Sequence, residues 1–476
     1  MFDDVMLARS NPEPSLEPDA IGVVQDTVIG LATSAPAGTV APTIAQLALV
    51  TAYGSGAVLL LAAIPMLIIA NSYRQLNRWN ATCAATFEWV GRAINPYLGF
   101  LTGWIMIIGY IVTTVAEVVV LGPSVVQVFN DPHAGTWSYV WIDTVLCTVM
   151  LVIAVLGIKL SAKTQIIMAA AEYTILIGLS VAGLALVLTH QPGTYPVTAG
   201  WLSLSGIGGK GSLAAGLLIS VYVYSGYDGT IYVNQEVTNS RRNPGRAAVW
   251  AAGILAVMYT LAQVGLQGMV RPGQLQAHAA SALVYTAQAI GGPPGGRVMA
   301  LAIALSVTAA TGTGIVLTAR IVYGMAARRV LPGSLANVWR RFRTPGPATI
   351  LVGFLIIAVT WAYLLTGNVT DVFSNVVSVA GLLFTIFYVM TALATIVYYR
   401  RDVMHSVRSL IMVGLLPFGA AGFLGWVFVK SMMNAPPGER LVVVSVVAAG
   451  VLMTFVARFV FRSEFFGTQR ESHISQ

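Results

Sequence analysis

Residues 211–237 read GSLAAGLLISVYVYSGYDGTIYVNQEV, and residues 22–53 read GVVQDTVIGLATSAPAGTVAPTIAQLALVTAY. A membrane-spanning helix needs about 20 mostly apolar residues, and both stretches are long enough. Both are also poor helices at their centres. In the later stretch, Tyr224-Ser225-Gly226-Tyr227-Asp228-Gly229 mixes glycines with polar side chains. In the earlier one, Ser34-Ala35-Pro36-Ala37-Gly38-Thr39 carries a proline that removes a donor and clashes with the preceding turn, and a glycine that adds backbone freedom. Irregular backbone at membrane depth survives only where protein or a watery cavity satisfies its polar groups. Each interruption is therefore a candidate binding position.

The rest of the chain demands a bilayer. Of 476 residues, 57% are hydrophobic and 9% charged, against about 25% charged in a soluble domain. This excludes a cytosolic enzyme, a secreted disulfide scaffold and a disordered regulator. The net charge of +8 points to topology rather than to nucleic acid. Two cysteines, Cys83 and Cys147, make no disulfide framework. Residues 1–20, acidic and proline-rich, lack the basic start and apolar stretch of a signal peptide and read as a disordered tail.

Lys and Arg punctuate the chain. With Gly/Pro turns they predict helices near 22–51, 56–78, 97–128, 137–157, 164–189, 212–236, 247–270, 297–327, 348–366, 372–399, 409–430 and 441–461. With the N-terminus inside, 21 of the 26 Lys and Arg residues fall on the cytoplasmic side, as the orientation bias requires. An all-α integral membrane fold with about 12 spans and both termini cytoplasmic is expected. Spans 1–5 and 6–10 form two halves, about 21–190 and 211–400, within a core of 21–400. Helices 11–12 occupy 401–462, and 463–476 is a second tail. Five helices per half force the halves into opposite orientation. Broken helices at matching positions of such a repeat point to a site at the midplane, where freed N–H groups face an anion and freed carbonyls a cation.

Four stretches carry a family likeness: YSGYDGTIYVNQEVTNSRRNPGRA at 224–247, SYRQLNRWNATCAATFEWVGRAINPYLGFLTGW at 72–104, GIKLSAKTQ at 157–165 and TARIVYGMAARRVLP at 318–332. They resemble the amino acid–polyamine–organocation superfamily. The resemblance implies the leucine-transporter-like 5+5 inverted repeat plus two C-terminal helices, and alternating-access transport of an amino acid or related amine. It places substrate at Pro36, Ala37, Gly38, Thr39, Tyr224, Ser225, Gly226, Tyr227 and Asp228. The family's first break is usually Gly-(Ser/Ala/Thr)-Gly; here Ala37-Gly38-Thr39 stands there, which leaves a carboxylate-free amine open. Many sodium-independent members carry a fifth-helix Lys in place of a sodium ion. The matching residue is Glu172, which can replace a cation only if it holds a proton or pairs with one. It is a candidate for proton coupling, for a structural bond to a neighbouring break, or for contact with a cationic substrate.

Intramembrane acids default to functional hypotheses. Asp228 is a candidate for ammonium binding or gating, or for accepting freed N–H groups. Glu117 is a candidate to line the external vestibule or to pair locally. Asp143 is expected to snorkel, and Asp26 to complement the first helix dipole. Tyr224 and Tyr227 are candidates for cation–π contact or gating; Tyr110 reads as packing. Other matches lack their context. Gly206–Gly211 fits G-x-G-x-x-G without a preceding strand. Tyr227-Asp228 lacks the second aspartate of an intramembrane protease. Asn368-Val369-Thr370 is a sequon in an outer loop, and Gly99-x-x-x-Gly103 allows close helix contact without defining a dimer. His133, His190, His278, His405 and His473 lie outside span centres, and no metal cluster or nucleotide motif is present. The expectation is a cell-membrane permease with no cofactor and no enzyme activity, taking up a small amine or amino acid with a proton as coupling ion. The alternatives are an exchanger or, from another class, a membrane sensor or channel, although no output module follows the last span.

Overall fold

The computed structural model describes residues 15–131, 133–196, 198–207, 210–270, 274, 281–366 and 369–467. The sequon's Asn368, His278, His473 and most of the two tails lie outside them. Among the described residues, fifteen helices build the bundle: α1 Val23–Thr33, α2 Pro36–Thr51, α3 Ser55–Trp79, α4 Thr86–Ala93, α5 Pro96–Phe129, α6 Thr136–Leu156, α7 Ile158–Leu188, α8 Lys210–Tyr224, α9 Gly229–Tyr232, α10 Asn243–Gln267, α11 Ala282–Ala327, α12 Gly346–Thr366, α13 Val369–Tyr398, α14 Val407–Asn434 and α15 Pro437–Val460. Among the described residues, ten helices are long and apolar enough to cross a membrane alone. The stretch from Val23 to Thr51, bent by 58° between Val23–Thr43 and Ala45–Thr51, is an eleventh. The remaining expected span falls on α8–α9, where α8 is apolar but too short to cross by itself.

The side-chain pattern matches a bilayer solvent. On α6, Val145, Val149, Val152 and Leu156 are exposed along one stripe, while Cys147, Met150 and Ala154 are buried. That inverts the usual surface of a soluble helix and fits contact with acyl chains. The interior belongs to α1, α2, α5, α8 and α11, whose small residues allow close approach. Gly314 of α11 lies so near Thr114 of α5 that a Cβ would collide with its hydroxyl.

Several boundaries differ from the expectation. The first break covers only Ser34 and Ala35. Ala35 is left-handed (φ 42°), and Pro36 opens α2, so Ala37, Gly38 and Thr39 are helical. Proline at the first helical position loses no hydrogen bond; it begins a helix here rather than breaking one. α11 starts fifteen residues before the expected 297, but Gly291 and Gly292 (φ 63°) kink it and set the outer piece apart from the span. α4, an amphipathic helix in the α3–α5 connection, was not expected. Its Phe87, Trp89 and Val90 are buried. Parts of both expected tails are ordered: Leu16 is buried and Glu17 pairs with Lys159 at 2.6 Å, and Phe465 stacks on Phe87 at 4.4 Å.

Candidate functional site

The two breaks touch. Gly226 (φ 104°) lies so close to the end of α1 that a Cβ there would meet Thr33 C and Ser34 N at 2.8 Å. Gly30 approaches Tyr227 O in the same way, at 3.0 Å. Neither approach leaves room for a side chain. Ser225–Asp228 form the non-helical link between α8 and α9, as expected for this break.

At the α2 N-terminus, Ala37 N donates to Glu172 Oε1 at 2.8 Å. Gly38 N donates to Ser306 Oγ at 3.1 Å, and Ser306 Oγ donates to the same Glu172 oxygen at 2.6 Å. Thr39 Oγ1 donates to Ser34 O, and Tyr259 Oη donates to the same carbonyl at 3.1 Å. Of the N–H groups freed by the break, a ready anion site, Ala37 N–H thus holds the chain's own carboxylate directly, and Gly38 N–H reaches it through Ser306. Glu172 joins α7 to α2 and, through Ser306, to α11. Its Oε2 is buried without a hydrogen-bond partner among the described residues.

Beside the breaks lies a chamber lined by Thr33, Tyr110, Thr113, Thr114, Glu117, Ser225, Gly226, Ala310, Gly314 and Phe384. Its walls are in contact, with gaps too narrow to seat a water. Of the expected substrate residues, only Ser225 and Gly226 line it. Tyr110, read as packing, is in the wall. Tyr110, Thr113, Thr114 and Glu117 stand at i, i+3, i+4 and i+7 of α5, a polar stripe on an apolar helix that spacing alone could have exposed. Phe384 and Ala310 had no such signal. Glu117 is buried in this wall.

Asp228 points elsewhere. Its carboxylate accepts from Tyr232 Oη at 2.6 Å, Tyr388 Oη at 3.1 Å and Tyr73 Oη at 3.4 Å. Three phenols thus converge on one buried carboxylate. Tyr227 stacks on Tyr388 at 5.9 Å, and Tyr224 donates to Leu59 O at 3.2 Å; neither faces the chamber. Asp143 does not snorkel: it is buried against Gly122, with no hydrogen-bond partner among the described residues. Asp26 sits in the first turn of α1 as expected, but is fully buried and likewise unpartnered.

The end of the bundle that carries both termini is tied shut. Ile21 N donates to Glu236 O at 3.1 Å, and Thr238 N donates to Ile21 O at 2.9 Å, joining the lead-in of α1 to the exit of α9. Beneath them Glu236 makes a fully buried bidentate pair with Arg320 of α11. Asn234 Nδ2 donates to Asn77 Oδ1 at 2.8 Å, adding α3 to the closure.

These features define a class: a multi-pass helical membrane protein with two broken helices in contact beside a buried chamber. The family described as Amino acid permease matches residues 22–461, and the chain belongs to it, within the amino acid–polyamine–organocation superfamily. Among curated relatives, the Gamma-aminobutyric acid permease of Bacillus subtilis is 21% identical over 59% of this chain and 59% of its own length. The b(0,+)-type amino acid transporter 1 of Rattus norvegicus is 22% identical over 63% of this chain and 59% of its own. The D-serine/D-alanine/glycine transporter of Escherichia coli K12 is 21% identical over 65% of each. The chain therefore spans less than two thirds of these relatives' length. The crystal structure of MhsT in complex with L-phenylalanine superposes with a TM-score of 0.58 at 16% identity, covering 87% of this chain and 99% of that one. It shares the leucine-transporter-like fold.

Proposed function

We propose that this chain is a secondary transporter of an amino acid or related small amine, residing in the cell membrane with both termini cytoplasmic, and that Glu172 carries the coupling proton. The observation behind the proposal is the Glu172–Ala37 hydrogen bond. A carboxylate holds an N–H more strongly than a neutral carboxyl does. Protonation would therefore loosen the tie between α7 and the N-terminus of α2, linking proton occupancy to the position of the first broken helix. Alternating access follows if that helix is the moving part.

The chamber also bears on the substrate. Its lining includes Glu117 and no Lys or Arg, an arrangement suited to an ammonium group. A substrate carboxylate would have to displace Glu172 to reach Ala37 N–H, so recognition rests first on the amine. The relatives' named substrates, gamma-aminobutyric acid and glycine among them, all carry one.

The test is Glu172→Gln, which keeps shape and hydrogen bonding but cannot exchange a proton. Uptake driven by an imposed pH gradient and equilibrium binding are measured in the same reconstituted sample. Expected is retained binding, retained exchange and lost accumulation. Gradient-driven accumulation equal to the parent would end the coupling role. Lost binding with an unchanged pH profile would reassign Glu172 to a cationic substrate, and lost thermal stability to a structural bond.

A further inference from the structure

At the end of the bundle that carries both termini, a cavity of about 880 Å³ opens between α4, the last turn of α11, α15 and the segment that follows it. Five arginines line it (Arg92, Arg328, Arg329, Arg458 and Arg462) against a single acid, Glu464. Arg92 and Arg328 are held by Glu88, at 3.3 Å and 2.6 Å. Arg329, Arg458 and Arg462 are exposed, with no ion pair among the described residues. Arg329 (φ 55°) and Arg462 (φ 48°) hold the left-handed backbone that suits glycine, yet both positions carry the longest cation available.

The wall is built rather than loose. Ser463 Oγ donates to Arg328 O at 2.6 Å. Phe465 seats against Gly91 and Phe87, and Phe466 against Tyr97 at 5.1 Å. On α15, close in sequence to Arg458 and Arg462, Phe455 and Phe459 stack at 6.3 Å and stand exposed. Cationic donors thus sit where an apolar, lipid-facing surface ends.

We propose that this cavity is a binding site for an anionic phospholipid, its phosphate held by Arg329, Arg458 and Arg462 and its acyl chains lying against Phe455 and Phe459. Guanidinium forks match phosphate oxygens in pairs, and basic pockets at the cytoplasmic ends of spanning helices suit anionic headgroups. A soluble phosphate compound would share the arginine chemistry but would not need the apolar ladder.

The experiment is native mass spectrometry of the purified full chain, titrated in detergent with phosphatidylglycerol or phosphatidylcholine. The parent is expected to bind phosphatidylglycerol in preference. Each cation near an anionic lipid surface contributes about fivefold, so Arg329→Gln/Arg458→Gln/Arg462→Gln should weaken it on the order of 100-fold. Arg241→Gln/Arg242→Gln/Arg400→Gln removes equal charge from the same end of the bundle and should leave binding near the parent's. If the triple pocket variant is not monodisperse, Arg458→Gln alone, on an exposed helix face, carries the test with an expected loss of about fivefold. Unchanged affinity in the pocket variant, or an equal loss in the charge control, overturns the site. Displacement of phosphatidylglycerol by millimolar inorganic phosphate overturns the lipid assignment in favour of a soluble anion.

Discussion

Gly226→Leu gives the most direct test of the contact between the breaks. The glycine holds φ 104°, and the atoms its Cβ would strike at 2.8 Å are Thr33 C and Ser34 N, which are backbone rather than flexible side chain. Two penalties follow. A side chain in that backbone region costs about 1–3 kcal/mol, and overpacking a closed contact costs about 1–3 kcal/mol more. Borne by the closed arrangement alone, a combined penalty of about 2–6 kcal/mol lowers its population between about 30-fold and on the order of 10⁴-fold. Leucine also favours continuing the helix through Ser225–Asp228. The expected outcome is normal membrane insertion with uptake reduced to background. The assay is substrate uptake into proteoliposomes at matched protein density, with size-exclusion profiles of both proteins. Gly226→Ala places the same Cβ without the branched end and should fall between the two. Near-parental uptake by the leucine variant would refute the reasoning and remove this contact from the transport cycle.

Two further outcomes follow from the closed end. Glu236→Gln leaves Arg320 buried without its charge partner, a loss of about 3–5 kcal/mol, and should lower the thermal midpoint in detergent; Glu236→Gln/Arg320→Met should recover part of it, and equal midpoints for parent and single variant would discount the pair. Cys83, in the connection between α3 and α4, is buried, and burial pushes its thiol up to about 12; in a Cys147→Ser background maleimide labelling at pH 8 should run on the order of 10³-fold slower than for an ordinary thiol and rise with pH, since only the thiolate reacts, and rapid labelling in the closed protein would contradict its burial.

Hydropathy and arginine spacing made the spans legible because the bilayer imposes length and charge rules on each helix separately. The second break was legible for a local reason: Gly226 and Gly229 bracket polar residues inside an apolar run. The first was drawn four residues too long, from Ser34 to Thr39, because Pro36 reads as a helix breaker until its position at the start of α2 is known. α4 escaped because eight amphipathic residues look like a loop beside 25-residue spans. At the site, Glu172 was reached only through the family resemblance, and its partner Ser306 lies 134 residues away, with no local pattern to join them. The α5 stripe from Tyr110 to Glu117 was readable from spacing, whereas the turn of Tyr224 and Tyr227 away from the chamber depends on packing against α3, α10 and α13.

The two hydrogen bonds between Ile21 and the Glu236–Thr238 segment use main-chain atoms only. Substitution of the side chains at these positions leaves that fastening in place, so a side-chain scan would pass over it. Each bond contributes about 0.5–1.5 kcal/mol net, enough to align the two segments and little enough for thermal motion to undo. The fastening also joins the first half of the chain to the second: the lead-in of one broken helix cannot swing away without letting go of the exit of the other. A change that stiffens either segment, such as proline at Thr238, where the donor would vanish, should therefore alter the rate of opening at that end more than the affinity of the chamber.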